Sequence, residues 1–223
     1  MEYISIKNRL VKGFMAEEAI KRLRTNVIFS GADVRTVGLT SCNESEGKST
    51  VALNLAASLA QTGRHVLLLD TDLRKSVLIR GIIHDSHIYG LGHYLSGIKR
   101  AEEIIYGTDI ENFNIIFAGA RVPNPAELLG SSRFNSFVQA LRERYDYVIV
   151  DTPPIGRVVD CAVMSSVLDG ILLVINAQNN SFKLVKSVKS RLEQAGGKLI
   201  GAVLNKVDFK ERRSYYGAYG DEY

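Results

Sequence analysis

Residues 34–62 read VRTVGLTSCNESEGKSTVALNLAASLAQT, and this stretch decides the fold. Val34–Thr40 is short, rich in β-branched residues and ends in a polar turn, which predicts a buried strand. Residues 49–62 carry Val51, Leu55 and Leu59 at helical spacing, and Gly63 follows as a stop signal. Between strand and helix lies Ser41–Thr50, whose Gly47-Lys48-Ser49 has the form of the end of a phosphate-binding loop. Glycine at 47 lets the backbone approach an anion. The amides of Ser45 to Thr50 and the partial positive charge of the helix N-terminus then face it. Lys48 supplies a point charge to β- and γ-phosphates, and Ser49 a hydroxyl to Mg²⁺. Glu46, Gly47, Lys48, Ser49 and Thr50 are the expected nucleotide contacts. The strict G-x-x-x-x-G-K-[ST] pattern is not met, because Cys42 stands where its first glycine belongs.

Outward from this loop the chain repeats one alternation. Apolar strands at His65–Leu69, Asn114–Phe117, Tyr147–Val150, Gly170–Ile175 and Leu199–Leu204 alternate with helical patterns within Ala126–Arg144, Val159–Leu168 and Phe182–Ala195. The strands are apolar throughout instead of alternating in and out. That predicts an α/β fold of the P-loop type, a mostly parallel sheet with helices on both faces in three layers. Residues 1–33 read as an N-terminal arm with a charged helical stretch, 34–209 as the nucleotide-binding domain, and 210–223 as a flexible tyrosine-rich tail.

The chain has 223 residues, one domain's worth at roughly 150 residues per domain with an arm and a tail. Hydrophobic residues make up 46% and charged residues 23%, a globular balance that excludes disordered and fibrous classes. The longest apolar runs, such as ILLVI at 171–175, fall far short of the ~20 residues of a membrane span. The N-terminus MEYISIKNRL has no apolar core of a secretory signal. Two cysteines, Cys42 and Cys161, cannot build a disulfide framework or a four-thiolate zinc site, and a cytoplasmic setting is expected. The net charge of +4 is mild and carries no aromatic-interleaved basic stripe, so no nucleic-acid partner is expected.

Two further motifs end strands. VLLLDTDLRKS at 66–76 places Asp70 and Asp72 after a buried strand, a pair suited to Mg²⁺ and to accepting a proton. Arg74 follows, able to contact phosphate or to hold a carboxylate bidentately. YVIVDTPP at 147–154 ends an apolar strand in Asp151, the arrangement in which a carboxylate reaches Mg²⁺. Ligands of open α/β sheets bind at the carboxyl ends of strands. A phosphate loop and two acidic strand ends together predict an ATP–Mg²⁺ site, with Ser49, Asp72 and Asp151 at the metal.

Val66–Arg74 resembles the A′ motif of the bacterial tyrosine kinases that serve capsule and exopolysaccharide export, deviant P-loop ATPases. Glu18–Asn26 (EAIKRLRTN) is similar to that family's E-x-x-R-x-x-R-T-N segment, Pro123–Leu129 (PNPAELL) to its P-N-P-x-E-L-L, and Val203–Asp208 (VLNKVD) to its nucleotide-base segment. The tail holds Tyr215, Tyr216, Tyr219 and Tyr223, four of 10 tyrosines, like the family's phosphorylatable cluster. The resemblance implies a self-phosphorylating protein-tyrosine kinase using ATP and Mg²⁺. It assigns Lys48, Asp70, Asp72 and Asp151 to catalysis, Arg74 and Asn205 to the nucleotide (Asn205 facing adenine), and Glu18, Lys21 and Arg24 to assembly into a ring of copies. Asp70 is expected to accept the tyrosine proton. A transmembrane activator that recruits the chain to the inner face of the plasma membrane and a tyrosine phosphatase are the implied partners. No direct membrane contact is implied.

Three positions depart from the family pattern. Glu44 and Ser45 replace Pro-Gly, and Lys21 replaces the first arginine, losing a bidentate fork. If position 45 requires a positive φ, serine there costs on the order of 1 kcal/mol that glycine would avoid. Glu44 weakens ATP binding unless it points away from the phosphates. The competing readings are a partitioning-type ATPase switch and a non-catalytic nucleotide-dependent scaffold. The ATPase class carries a lysine five positions before the loop lysine, where this chain has Asn43.

Overall fold

Central strands that are buried along their length need cover on both faces, and the chain supplies it. The computed structural model describes residues 2–78, 88–155 and 160–207. Its elements are β1 (Tyr3–Ile4), α1 (Phe14–Ile28), β2 (Thr36–Ser41), α2 (Lys48–Ala60), β3 (Val66–Asp70), α3 (Leu91–Leu95), β4 (Tyr106–Thr108), β5 (Phe113–Ile116), α4 (Pro125–Leu129), α5 (Ser132–Arg144), β6 (Tyr147–Asp151), α6 (Asp160–Met164), β7 (Gly170–Asn176), α7 (Phe182–Gln194) and β8 (Leu199–Asn205). The strands form one 8-stranded sheet in the order β1-β4-β5-β3-β6-β2-β7-β8. Every pairing is parallel except β4 with β5.

Alternate residues of each strand feed two cores. Leu67, Leu69, Val148, Val150, Ile171 and Leu173 pack with Phe134, Phe137 and Leu141 of α5 and with Val188 and Leu192 of α7. Val37, Leu39, Val66, Leu68, Ile149 and Leu172 pack on the other face against α2 and Val27 of α1. Fully burying each such side chain stabilises the fold by about 1.5–3 kcal/mol before chain entropy is charged. The result is the three-layer α/β/α arrangement expected from the sequence.

Differences are local. The helical pattern within 126–144 is two helices, because Ser131 caps α5 by accepting the Phe134 N–H at 3.2 Å while α4 ends at Gly130. The pattern at 159–168 holds only one short α-helix and a 3₁₀ turn, Ser165–Val167. β1 and β4 are too short to leave a periodic signal. The N-terminal arm is tied to the sheet through β1 and through Asp109, which accepts the Ile6 N–H at 2.9 Å.

The crossover decides where a site can form. β2, α2 and β3 are consecutive in the chain, yet β6 lies between β2 and β3 in the sheet. The register pairs Leu39 with Asp151 and Asp70 with Asp151. Three motifs up to 103 residues apart, as with Lys48 and Asp151, therefore end side by side.

Candidate active site

The loop between β2 and α2 closes on itself first. Glu46 is only 3% exposed, and its carboxylate turns back to accept the Cys42 N–H at 2.9 Å and the Asn43 side-chain amide at 3.3 Å. Gly47 takes φ 93°, which glycine adopts without strain, and caps α2. A Cβ there would stand 2.1 Å from Asn205 Nδ2, so the position excludes any side chain twice over. The backbone N–H groups of residues 46–50 donate to no protein acceptor among the described residues. Such a row of unspent donors at a helix N-terminus fits an anion of phosphate type.

Beside this row lies a cavity of about 460 Å³, lined by Ser45, Gly47, Lys48, Ser49 and Thr50 on one side and Asp72, Arg74, Lys75 and Val77 on the other. Lys48 is 8% exposed. Its Nζ lies 3.2 Å from Asp151 Oδ1, 3.3 Å from Ser49 Oγ and 4.0 Å from Asp72 Oδ2. Burial works to lower the Lys48 pKa, but Asp151, Asp72 and Asp70 outweigh it and raise it, so the side chain is an ammonium at neutral pH. Asp70 is fully buried and bound by the Ser76 hydroxyl and the Asp72 N–H. Burial, then the charge of Asp151, push its pKa up to about 7. Burial also raises Asp151, against the pull of Lys48.

A family model described as an AAA domain matches residues 39–199. The tyrosine-protein kinase CpsD of Streptococcus agalactiae is 40% identical over 221 residues, covering 99% of this chain and 95% of that protein. The chain belongs to the bacterial tyrosine-kinase family. The crystal structure of the chimerical protein CapA2B2 superposes on this kinase with a TM-score of 0.83 at 32% identity, over 92% of this chain and 93% of that one. The septum site-determining protein MinD of Pyrococcus horikoshii, solved with Mg-ADP, lies further off: TM-score 0.66, 27% identity, 80% and 72% coverage. The likeness to MinD is that of a shared P-loop fold.

Several residues of the kinase stand elsewhere than expected. Neither Asp70 nor Asp151 lines the cavity; Asp72 does. The reason is register: Asp70 is the last residue of β3, paired with Asp151 inside the sheet, while Asp72 lies past the strand end. Arg74 lines the cavity and takes the second of the two roles open to it, giving its fork to Asp160, with Nε to Oδ2 at 2.6 Å and Nη2 to Oδ1 at 2.9 Å. Asp160 is fully buried, and this bond raises the Arg74 pKa. The Glu46 carboxylate faces the loop and not the cavity. Asn205 is not among the cavity residues either; its Nδ2 donates to the Glu46 carbonyl at 2.9 Å.

The departures from the family pattern are also placed. Ser45 has φ 60°, so serine does occupy a glycine-like conformation. Glu44 binds Lys75 Nζ at 3.0 Å across the cavity rim. In α1, Lys21 pairs with Glu18 at 2.7 Å, and Arg24 Nη1 donates to the Ser58 carbonyl at 3.1 Å. Sequence reading missed Asp160 and Lys206. An acidic residue opening a short apolar helix is the only trace of the first, and Lys206 shows itself only through its contact with Ser45. Cys42 is buried, and burial followed by Glu46 pushes its thiol up to about 11, which leaves no thiolate. Tyr215, Tyr216, Tyr219 and Tyr223 lie outside the described residues.

Proposed function

We propose that this protein-tyrosine kinase transfers the γ-phosphoryl group of ATP to its own C-terminal tyrosines, Tyr215, Tyr216, Tyr219 and Tyr223, and so regulates capsular or exopolysaccharide polymerisation and export. One observation carries the reading. Lys48, Ser49 and Asp72 line one cavity, Asp151 stands behind it on the Lys48 ammonium, the lining includes Lys206, the residue just past β8, and the tyrosine-rich segment begins at residue 210.

Phosphoryl transfer asks for alignment and charge neutralisation more than covalent help. The free amides of residues 46–50 would hold phosphate oxygens, and the Lys48 ammonium would exchange Asp151 for the β/γ oxygens. Ser49 and Asp72 offer hard oxygen ligands to Mg²⁺, with Asp151 behind Ser49. The metal, when bound with the nucleotide, would offset negative charge on the phosphates. Tyrosine ionises near a pKa of about 10, so its hydroxyl needs an acceptor as the new O–P bond forms and the β–γ bridge breaks. Asp72 faces the cavity and would take that proton. Asp70, behind it, positions the segment by accepting the Asp72 N–H. Val77, Pro153 and Pro154 give the cavity an apolar wall suited to a phenol ring.

Delivery of the tail to a neighbouring copy, within a ring built on α1, is part of this proposal, as are a transmembrane activator that recruits the chain to the inner membrane face and a tyrosine phosphatase. No helix among the described residues is long and apolar enough to cross a membrane. Each phosphate adds about −1.5 to −2 charge, which a cavity holding carboxylates and phosphates repels, so phosphorylation should loosen the assembly. Native mass measurement of ATP-treated and phosphatase-treated protein checks this; equal oligomers in both samples remove that part. The deciding experiment incubates purified chain with γ-labelled ATP and Mg²⁺. Label on residues 215–223, abolished by Lys48→Met, supports the kinase. Released phosphate with an unlabelled tail points to an ATPase, and neither product points to a scaffold.

A further inference from the structure

Among the described residues, three other than glycine have a positive φ: Ser45 at 60°, Asn112 at 61° and Lys206 at 55°. Two of the three are joined by one hydrogen bond. Lys206 Nζ donates to the Ser45 carbonyl at 2.8 Å, across 161 residues of chain. The left-handed conformation is costly for any residue with a Cβ, and it persists where surrounding contacts impose it. Here each strained residue is the other's partner.

Their neighbours extend the contact. Asn205 Nδ2 donates to the Glu46 carbonyl at 2.9 Å and sits where a Gly47 side chain would be. Asn205, the last residue of β8, and Lys206 after it thus grip two consecutive residues of the phosphate loop through their carbonyls. In a trans peptide the carbonyl and the following N–H point in opposite directions. Drawing the carbonyls of Ser45 and Glu46 toward β8 therefore turns the N–H groups of Glu46 and Gly47 away from it. These belong to the row of donors left unspent by the protein.

We infer that Lys206 is a positioning residue of the phosphate loop: its ammonium, bound to the Ser45 carbonyl, holds Ser45 in the left-handed conformation that sets the loop amides for nucleotide phosphates. A lysine just past β8 thereby does for serine what a glycine achieves alone. A charged donor suits the task because it binds a carbonyl more strongly than a neutral one. The inference rests on the cavity being a nucleotide site.

The test measures the dissociation constant of fluorescently labelled ADP, and KM and kcat for ATP, in the full chain. Lys206→Met keeps the apolar stem and removes the ammonium. It should weaken ADP binding about 10-fold, equivalent to about 1.4 kcal/mol, and raise KM for ATP with kcat within about twofold. Ser45→Gly should bind at least as tightly as the native chain. In that background Lys206→Met should cost less than about 3-fold, because glycine needs no clamp. Equal losses in both backgrounds would place Lys206 on the nucleotide itself and overturn the inference, as would no loss in the native background. Unchanged melting temperatures show that the variants fold. The readout is binding: a chain that binds ADP but labels no tyrosine overturns the kinase proposal and leaves the clamp standing. A clamp that fails leaves tail labelling untouched.

Discussion

The two ends of the central strands carry aspartates in opposite states. At the carboxyl ends, Asp70 and Asp151 are buried side by side and both are pushed toward the protonated form. At the amino ends, Asp169 accepts the N–H groups of Arg35 at 2.9 Å and Thr36 at 2.8 Å, and Arg142 Nε at 3.1 Å. Burial works to raise the Asp169 pKa, but the Thr36 and Arg35 N–H groups outweigh it, and the pKa is lowered. Asp146 accepts the His65 N–H at 2.8 Å in the same way where β3 begins. The start of a parallel strand offers free donors that a carboxylate can satisfy. In the site Asp70 has the Ser76 hydroxyl and one N–H, from Asp72, while Asp151 leans on a lysine that a bound phosphate must share. One end spends its acidic residues on stability, and the other keeps them in a state that binding can relieve.

The largest effect should come from breaking the ion pair between Arg74 and the fully buried Asp160 at the site end. Arg74→Ala leaves Asp160 buried and unpaired, and we expect a loss of about 3 kcal/mol, about 6–12 °C in melting temperature. Arg74→Met combined with Asp160→Leu should recover most of it, because no charge is then stranded. Calorimetry of both variants measures this; a double variant as unstable as the single one would mean the site end depends on the ion pair for more than charge balance.

Next in size is Asp169→Ala at the opposite end, expected to cost about 2 kcal/mol in denaturant unfolding with kinase activity unchanged. Asp70→Asn should do the reverse. It relieves the repulsion with Asp151 and raises stability by about 1 kcal/mol, while tail labelling falls, because the charge that helps hold the Lys48 ammonium is lost. Two variants that shift stability in the same direction would erase the contrast between the ends.

The smallest effect is in pH dependence without metal. Asp70 keeps its proton in the folded state up to about pH 7 but in the unfolded chain only to about 3.8. Between those values the folded state binds more protons, so this group's contribution to stability falls as pH rises. Asp169 acts oppositely: its contribution is present above the ordinary carboxylate value and is lost as pH falls through its lowered folded value. Unfolding curves from pH 7 down to below 3.8, compared with Asp70→Asn and Asp169→Asn, should show the slope above 3.8 vanish with the first variant and the slope below 3.8 with the second.

Much of this was readable in the chain before any coordinates. Composition and strand character specified a covered parallel sheet. Gly47-Lys48-Ser49 after a β-branched strand specified a phosphate loop, because that chemistry is written within ten consecutive residues. The acidic strand ends were equally local. Which carboxylate meets the cavity was not, since Asp70 and Asp72 differ only in whether the residue still lies in the β3–β6 ladder. Arg74 has two carboxylate or phosphate partners open to it by type, and its choice of Asp160 spans 86 residues. The grip of Asn205 and Lys206 on the loop spans 159 and 161. Periodicity and short motifs report what a residue does with its neighbours in the chain. Pairings across a sheet follow from strand order and register, which arise when the whole core packs, so they became visible only once the strands stood side by side.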